Sequence, residues 1–185
     1  MSSETTMTVP VLEDWQRRMF RGSFLLVILA ETMIFITLLS TRFLLAGKGH
    51  PPELNQKLGI IISLLLVASL LPLGAGLARV RHGARGAAML GLTALAGAVA
   101  VALIVYDWVT LTIDATSRYG ENYVMSTGYH ALHIVLGLIA LAIIAAADRR
   151  GEYRAENHWQ VEAAATFWLF VVISWAALYA VFFAL

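Results

Sequence analysis

Residues 124–147 read VMSTGYHALHIVLGLIALAIIAAA, an apolar run of membrane length that carries two histidines, His130 and His133. A bilayer core about 30 Å thick needs about 20 apolar residues to cross it as a helix, and this stretch holds no Asp, Glu, Lys or Arg. It therefore reads as a transmembrane helix. Working outward, four further stretches meet the same test: 22–46, 58–78, 86–106 and 163–185. The first of them contains the carboxylate Glu31 and, near its far end, Arg42. The remainder of the 185 residues is too short for a soluble domain, and 59% of the chain is hydrophobic against 14% charged. The reading is an all-α integral membrane protein: one bundle of five transmembrane helices over 22–185, preceded by a polar segment, 1–21.

Basic residues fix the expected orientation, because Lys and Arg accumulate on the cytoplasmic side. Arg17, Arg18, Arg21, Arg79, Arg81, Arg85, Arg149, Arg150 and Arg154 fall on one side, nine in all, and Arg42, Lys48, Lys57 and Arg118, four, on the other. The N-terminus is expected in the cytoplasm and the C-terminus outside. Residues 1–13 do not resemble a cleavable signal, since the basic cluster abuts a full-length span. With no cysteine, disulfides, thiolate metal sites and thioether haem attachment are excluded. A formal net charge of +1, with basic residues at membrane edges, argues against nucleic acid as a partner.

Within the spans, Pro72, followed by Gly74 and Gly76, predicts a kink in the second. Ala87/Gly91 and Ala94/Ala98/Ala102 form small-residue rows in the third, suited to bundle packing and close helix approach. The connection 107–123, DWVTLTIDATSRYGENY, reads as the longest loop, on the outer side. Loop 47–56, GKGHPPELNQ, contains two prolines and cannot continue a helix.

Titratable groups inside a membrane are costly and need a partner or a purpose. Glu31 lies nine residues into the first span from the cytoplasm, and His133 nine residues into the fourth from outside. At about 1.5 Å per residue both stand about 13–14 Å deep, near the midplane, within hydrogen-bond reach if the two spans touch. His130 stands one turn nearer the outer surface on roughly the same face. The group reads either as a buried polar tie or as a proton-relay or lipid-sensing site. Haem ligation from opposite sides needs histidines on two helices, whereas His50, His82 and His158 all lie in loops, so no haem or copper is expected in this chain. Glu162, in HWQVEAAATFW (158–168), opens the last span, where a carboxylate suits a helix N-terminus.

The stretches LAETMIF (29–35), STGYHALHIVLGLI (126–139) and QVEAAATFWLFVVISW (160–175) together resemble subunit III of haem–copper respiratory oxidases. They are similar to that family's S-E-x-x-x-F segment, its T-G-F-H-G-L-H-V segment, and the segment running from E-A-A to W-H. Leu169 and Val172 stand where the family has His and Asp. The resemblance implies the short, five-helix bacterial form in the inner (plasma) membrane. It implies an accessory subunit with no redox centre, packed on a catalytic subunit I beside subunit II, with haem and copper in those partners. It also implies phospholipid held in a cleft between the first and later helices, support of proton uptake and oxygen access, and a place in respiratory supercomplexes. The changes in the last helix leave a quinol oxidase or nitric oxide reductase as alternative complexes. A stand-alone proton channel built on Glu31 and a haem-bearing anchor are the readings from other classes.

Overall fold

A computed structural model describes residues 13–47, 51 and 54–185. The expected loop residues Lys48, His50 and Pro52, and the N-terminal segment before Glu13, lie outside the described residues. The described chain is helical: α1 (Asp14–Ala46), α2 (Gln56–Ala68), α3 (Leu70–Arg81), α4 (Ala87–Val109), α5 (Arg118–Arg150) and α6 (Trp159–Tyr179), the last continued by a π-helical turn, Ala180–Ala184. α2 with α3, and α6 with its π turn, act as single spans, so five segments are long and apolar enough to cross a membrane.

Two helices are longer than their apolar cores. α1 starts at Asp14, eight residues before the expected span, where Glu13 and Gln16 exchange side-chain and backbone hydrogen bonds in a capping box. α5 starts at Arg118, where the Ser117 hydroxyl accepts from the Gly120 amide at 3.0 Å. The expected loop 107–123 therefore shrinks to 110–117, and Trp108, Tyr119 and Tyr123 belong to helices. In that shorter connection the Thr116 hydroxyl and amide donate to Asp114 at 2.7 and 2.9 Å, which holds its carboxyl below the usual range. α5 stops at Gly151, whose φ of 79° suits a residue without Cβ.

The break in the second span falls at Ser69, three residues before Pro72. The proline ring lacks an N–H and crowds the carbonyl four residues back, Ala68, so the ladder loosens one turn ahead of the proline. Ser69 gains outside partners there: its hydroxyl accepts from the Trp168 indole N–H at 2.8 Å.

Trp168 is fully buried. A Cβ added at Gly97 on α4 would overlap the far edge of its indole, and one at Gly137 on α5 would lie 2.8 Å from it. One ring thus binds α6 to α4, α5 and the α2–α3 junction. The small-residue rows expected on α4 hold in part: Ala87 is buried and Ala94 packs partly buried on the core. Ala98 and Ala102 face outward, and the buried stripe runs through Ala87, Leu90, Thr93, Gly97, Ala100, Ile104 and Asp107. Gly91 meets nothing within 4 Å. α5 forms the centre of the bundle, packing on α4, α6 and α1, while α1 rests chiefly on α5 and α6 and buries only Phe35 and Arg42.

Gly97→Val is expected to lower stability by about 1–3 kcal/mol through overpacking against Trp168. Gly91→Val, in open space, is expected to stay within about 0.5 kcal/mol of the parent. Unfolding of both variants in mild detergent measures the difference, and equal losses would remove the slot around the indole as the cause.

Candidate functional site

The three sequence stretches rich in polar signals come together as two centres joined by α1. In the first, α5 presents Tyr129 and His133 one turn apart on one face, opposite Glu31 of α1. The Tyr129 hydroxyl donates to Glu31 Oε2 at 2.5 Å, and His133 Nε2 lies 3.3 Å from the same oxygen. His133 Nδ1 stands 2.8 Å from the Tyr129 carbonyl oxygen. A carbonyl can only accept, so Nδ1 carries a hydrogen. Nε2 then meets Glu31 in one of two ways. It donates as part of an imidazolium to a carboxylate, or it accepts from a carboxylic acid. Either arrangement has zero net charge and one proton shared between the two groups, which lowers the cost of holding them in a membrane.

Aromatic rings enclose the imidazole: Tyr129 at 4.6 Å, Phe35 at 5.3 Å, Phe170 at 6.0 Å and Phe167 at 6.1 Å between centroids. The two partners differ in burial. The His133 side chain keeps 5% of its surface, whereas Glu31 keeps 29%. The expected fully buried tie is thus a pair at the rim of the bundle, with the imidazole inside and the carboxylate open toward the surface of α1.

His130 departs from its expected position beside that pair. Its ring turns toward α6, 5.3 Å from Trp175, and lies edge-on to Phe35 at 6.1 Å. It is completely buried.

The second centre is at Glu162, in the first turn of α6. Its carboxylate pairs with Arg21 of α1, with Arg81 at the end of α3 at 2.8 Å, and with His158 at 3.4 Å. Besides facing its own helix N-terminus, it clamps α1, α3 and the segment ahead of α6 at one end of the bundle. Two open grooves meet there. One, of about 160 Å³, runs along Phe24, Leu25, Trp159 and Ala163. The other, of about 500 Å³, runs between α3 and α6 along Leu73, Gly74, Leu77 and Leu169. Arg21 and Glu162 line both. Ten residues of α1 separate Arg21 from Glu31, about 15 Å, so the two centres do not touch.

Several polar contacts had no place in the reading of the sequence. Tyr129 is the third member of the Glu31 site, and its signal was the i, i+4 spacing to His133 within the same quoted run. Asp107 on α4 accepts from the Tyr123 hydroxyl at 2.6 Å. Asp148, near the end of α5, accepts from the Gly86 and Ala87 amides at 2.8 and 2.7 Å and so caps α4. Arg42 is buried, with its guanidinium 4.8 Å above the Tyr119 ring. No group of three or more His, Asp or Glu placed to hold a metal occurs among the described residues.

Comparison with known proteins places these residues in context. The family model described as cytochrome c oxidase subunit III matches residues 4–185. A cytochrome c oxidase subunit 3 of Thermostichus vulcanus is 31% identical over 176 residues, 90% of this chain and 88% of that protein. One from Synechocystis is 27% identical over 172 residues, 88% of this chain and 73% of that protein. A probable cytochrome c oxidase subunit 3 of Nocardia farcinica is 28% identical over 167 residues, 82% of this chain and 80% of that protein.

Because Tyr129 and His133 share one Glu31 oxygen, their losses should couple. Glu31→Ala and His133→Ala are each expected to cost about 1–3 kcal/mol, with a coupling of at least about 0.5 kcal/mol in the double variant. Tyr129→Phe should couple to Glu31→Ala in the same way. It should add to Glu162→Gln within about 0.5 kcal/mol, since that centre is remote. Detergent unfolding of the single and double variants reads all three pairwise terms, and strictly additive losses for Glu31 and His133 would rule out the pairing.

Proposed function

The chain belongs to the cytochrome c oxidase subunit III family, and on that premise we propose that it is a non-redox accessory subunit of a proton-pumping haem–copper terminal oxidase. The observation that carries this reading is where the family-like stretches fall in the fold. LAETMIF supplies Glu31, STGYHALH supplies Tyr129, His130 and His133, and QVEAAATFW supplies Glu162 and the central Trp168. Segments about 100 residues apart in sequence thus build two compact centres on one side of the bundle, α1 with α5 and α6. In this role the chain seats against the catalytic subunit, which with subunit II carries the haem and copper. Its own residues hold protons and lipid near the catalytic subunit rather than electrons.

Phospholipid fits the Glu162 centre. Two guanidiniums, Arg21 and Arg81, meet one carboxylate there, leaving net positive charge at the mouth of two grooves with largely apolar walls. A lipid phosphate would take the bidentate donors of an arginine, and acyl chains would lie along Leu73, Leu77 and Leu169. Glu31, at the rim with one shared proton, is suited to exchanging a proton with the partner subunit's surface. The nine-to-four distribution of basic residues supports a cytoplasmic N-terminus in a bacterial plasma membrane, with the Glu162 centre on the cytoplasmic side.

Affinity purification of the tagged chain in mild detergent, followed by mass spectrometry and an absorption spectrum, tests the assignment. A haem-containing catalytic subunit should co-purify. Recovery of the chain alone under conditions that keep the other oxidase subunits together would sink the reading. Arg21→Ala/Arg81→Ala should reduce co-purifying phospholipid several-fold by quantitative lipid analysis, with the oxidase still assembled. The orientation is checked separately in this cysteine-free chain: a cysteine at Ser117 should react with an impermeant reagent from outside intact cells and not from the cytoplasmic face.

A further inference from the structure

Buried polar groups along one face of α5 are left without partners. Asn122 Oδ1, Ser126 Oγ and both ring nitrogens of His130 make no hydrogen bond, and the three residues are 8%, 0% and 0% exposed. They recur every four residues, so they stack on one face of the helix at steps of about 5–6 Å. The surrounding donors are committed elsewhere. The Trp175 indole, packed on His130, gives its N–H to Ser63 Oγ at 2.9 Å. Asn122 Nδ2 donates to Thr41 Oγ1 at 2.6 Å, which fixes Oδ1 as the atom left over. Ser126 stands apart from other membrane hydroxyls here. Thr32, Ser63, Thr93, Thr127 and Ser174 each donate to the carbonyl four residues back, whereas the Ser126 hydroxyl makes no such bond.

Buried polar atoms are almost always satisfied by protein or by ordered water, and a buried water takes two to four polar partners. We propose that Asn122, Ser126 and His130 hold a row of ordered water molecules between α1, α5 and α6. One water spans Asn122 Oδ1 and Ser126 Oγ, and a second spans Ser126 Oγ and the imidazole of His130. A neutral imidazole offers one donor and one acceptor, so this water meets one ring nitrogen in either tautomer and a third water takes the other. The row begins near the 110–117 connection and ends one turn from His133. From Asn122 to His133 is about 16–17 Å along the helix, about half of a bilayer core. It hydrates His130 one turn from the Glu31–His133 pair, with the Phe35 ring packed against both imidazoles.

The test is solid-state NMR of the ¹⁵N-histidine-labelled chain in its purified membrane complex, with the His130 signals assigned through His130→Phe. Magnetisation transfer from water protons to the His130 nitrogens is expected, reduced at least about fivefold in Ser126→Val. Absence of that transfer, in a sample where the partly exposed His158 shows it, overturns the proposal, as does transfer unchanged by Ser126→Val. If Ser126→Val does not assemble, the spectrum of the unaltered chain decides alone.

Discussion

The indole of Trp168 fills a slot that two glycines leave open, Gly97 from α4 and Gly137 from α5, and its single N–H ends on Ser69 where the second span breaks. Lipid tails are as apolar as leucine, so helices in a bilayer gain little from burying apolar surface against one another. What remains is close fit and the few hydrogen bonds across helices. Trp168 supplies both at the point where four helical segments meet. The register of α4 and α5 follows from it, because each must present its glycine at the depth of the ring. That register in turn sets Tyr129 and His133, two turns and one turn of α5 away from Gly137, at the height of Glu31.

Around this centre the charged groups are settled in small local clusters. Asp148 caps α4, Asp107 takes the Tyr123 hydroxyl, Glu162 gathers Arg21, Arg81 and His158, and Glu31 shares one oxygen between Tyr129 and His133. Each carboxylate joins separate helices, so the costly groups also act as joints. The two centres on α1 differ in kind. Glu162 has more positive than negative neighbours and opens on grooves. Glu31 is neutral as a pair and lies in an aromatic enclosure.

The five spans and the meeting of Glu31 with His133 were legible because both rest on lengths: apolar runs and a fixed rise per residue. The ends of α1 and α5 were not. Their outer turns are polar, and hydropathy cannot see a helix that continues into water, although the Glu13–Gln16 box and Ser117 were there to be read. The rows of alanine on α4 held at Ala87 and failed at Ala98 and Ala102 for a different reason. Small size permits close approach from any direction, and only the large partner, Trp168, selects the face. Tyr129 escaped notice because a phenol carries no formal charge to mark it inside an apolar run. The turn of His130 toward α6 depends on side-chain directions set by three helices at once, which spacing along one of them does not carry.

α1 touches the bundle through a narrow seam. Only Phe35 and Arg42 are buried in it, and the residues it packs on, in α5 and α6, are synthesised some 100 positions later. At about 5–20 residues per second, Glu31 stays in the lipid for about 5–20 s before Tyr129 and His133 leave the ribosome. α2, α3 and α4 are complete in sequence terms before that moment. The first helix made must therefore wait for α5 and α6, the partners on which it rests.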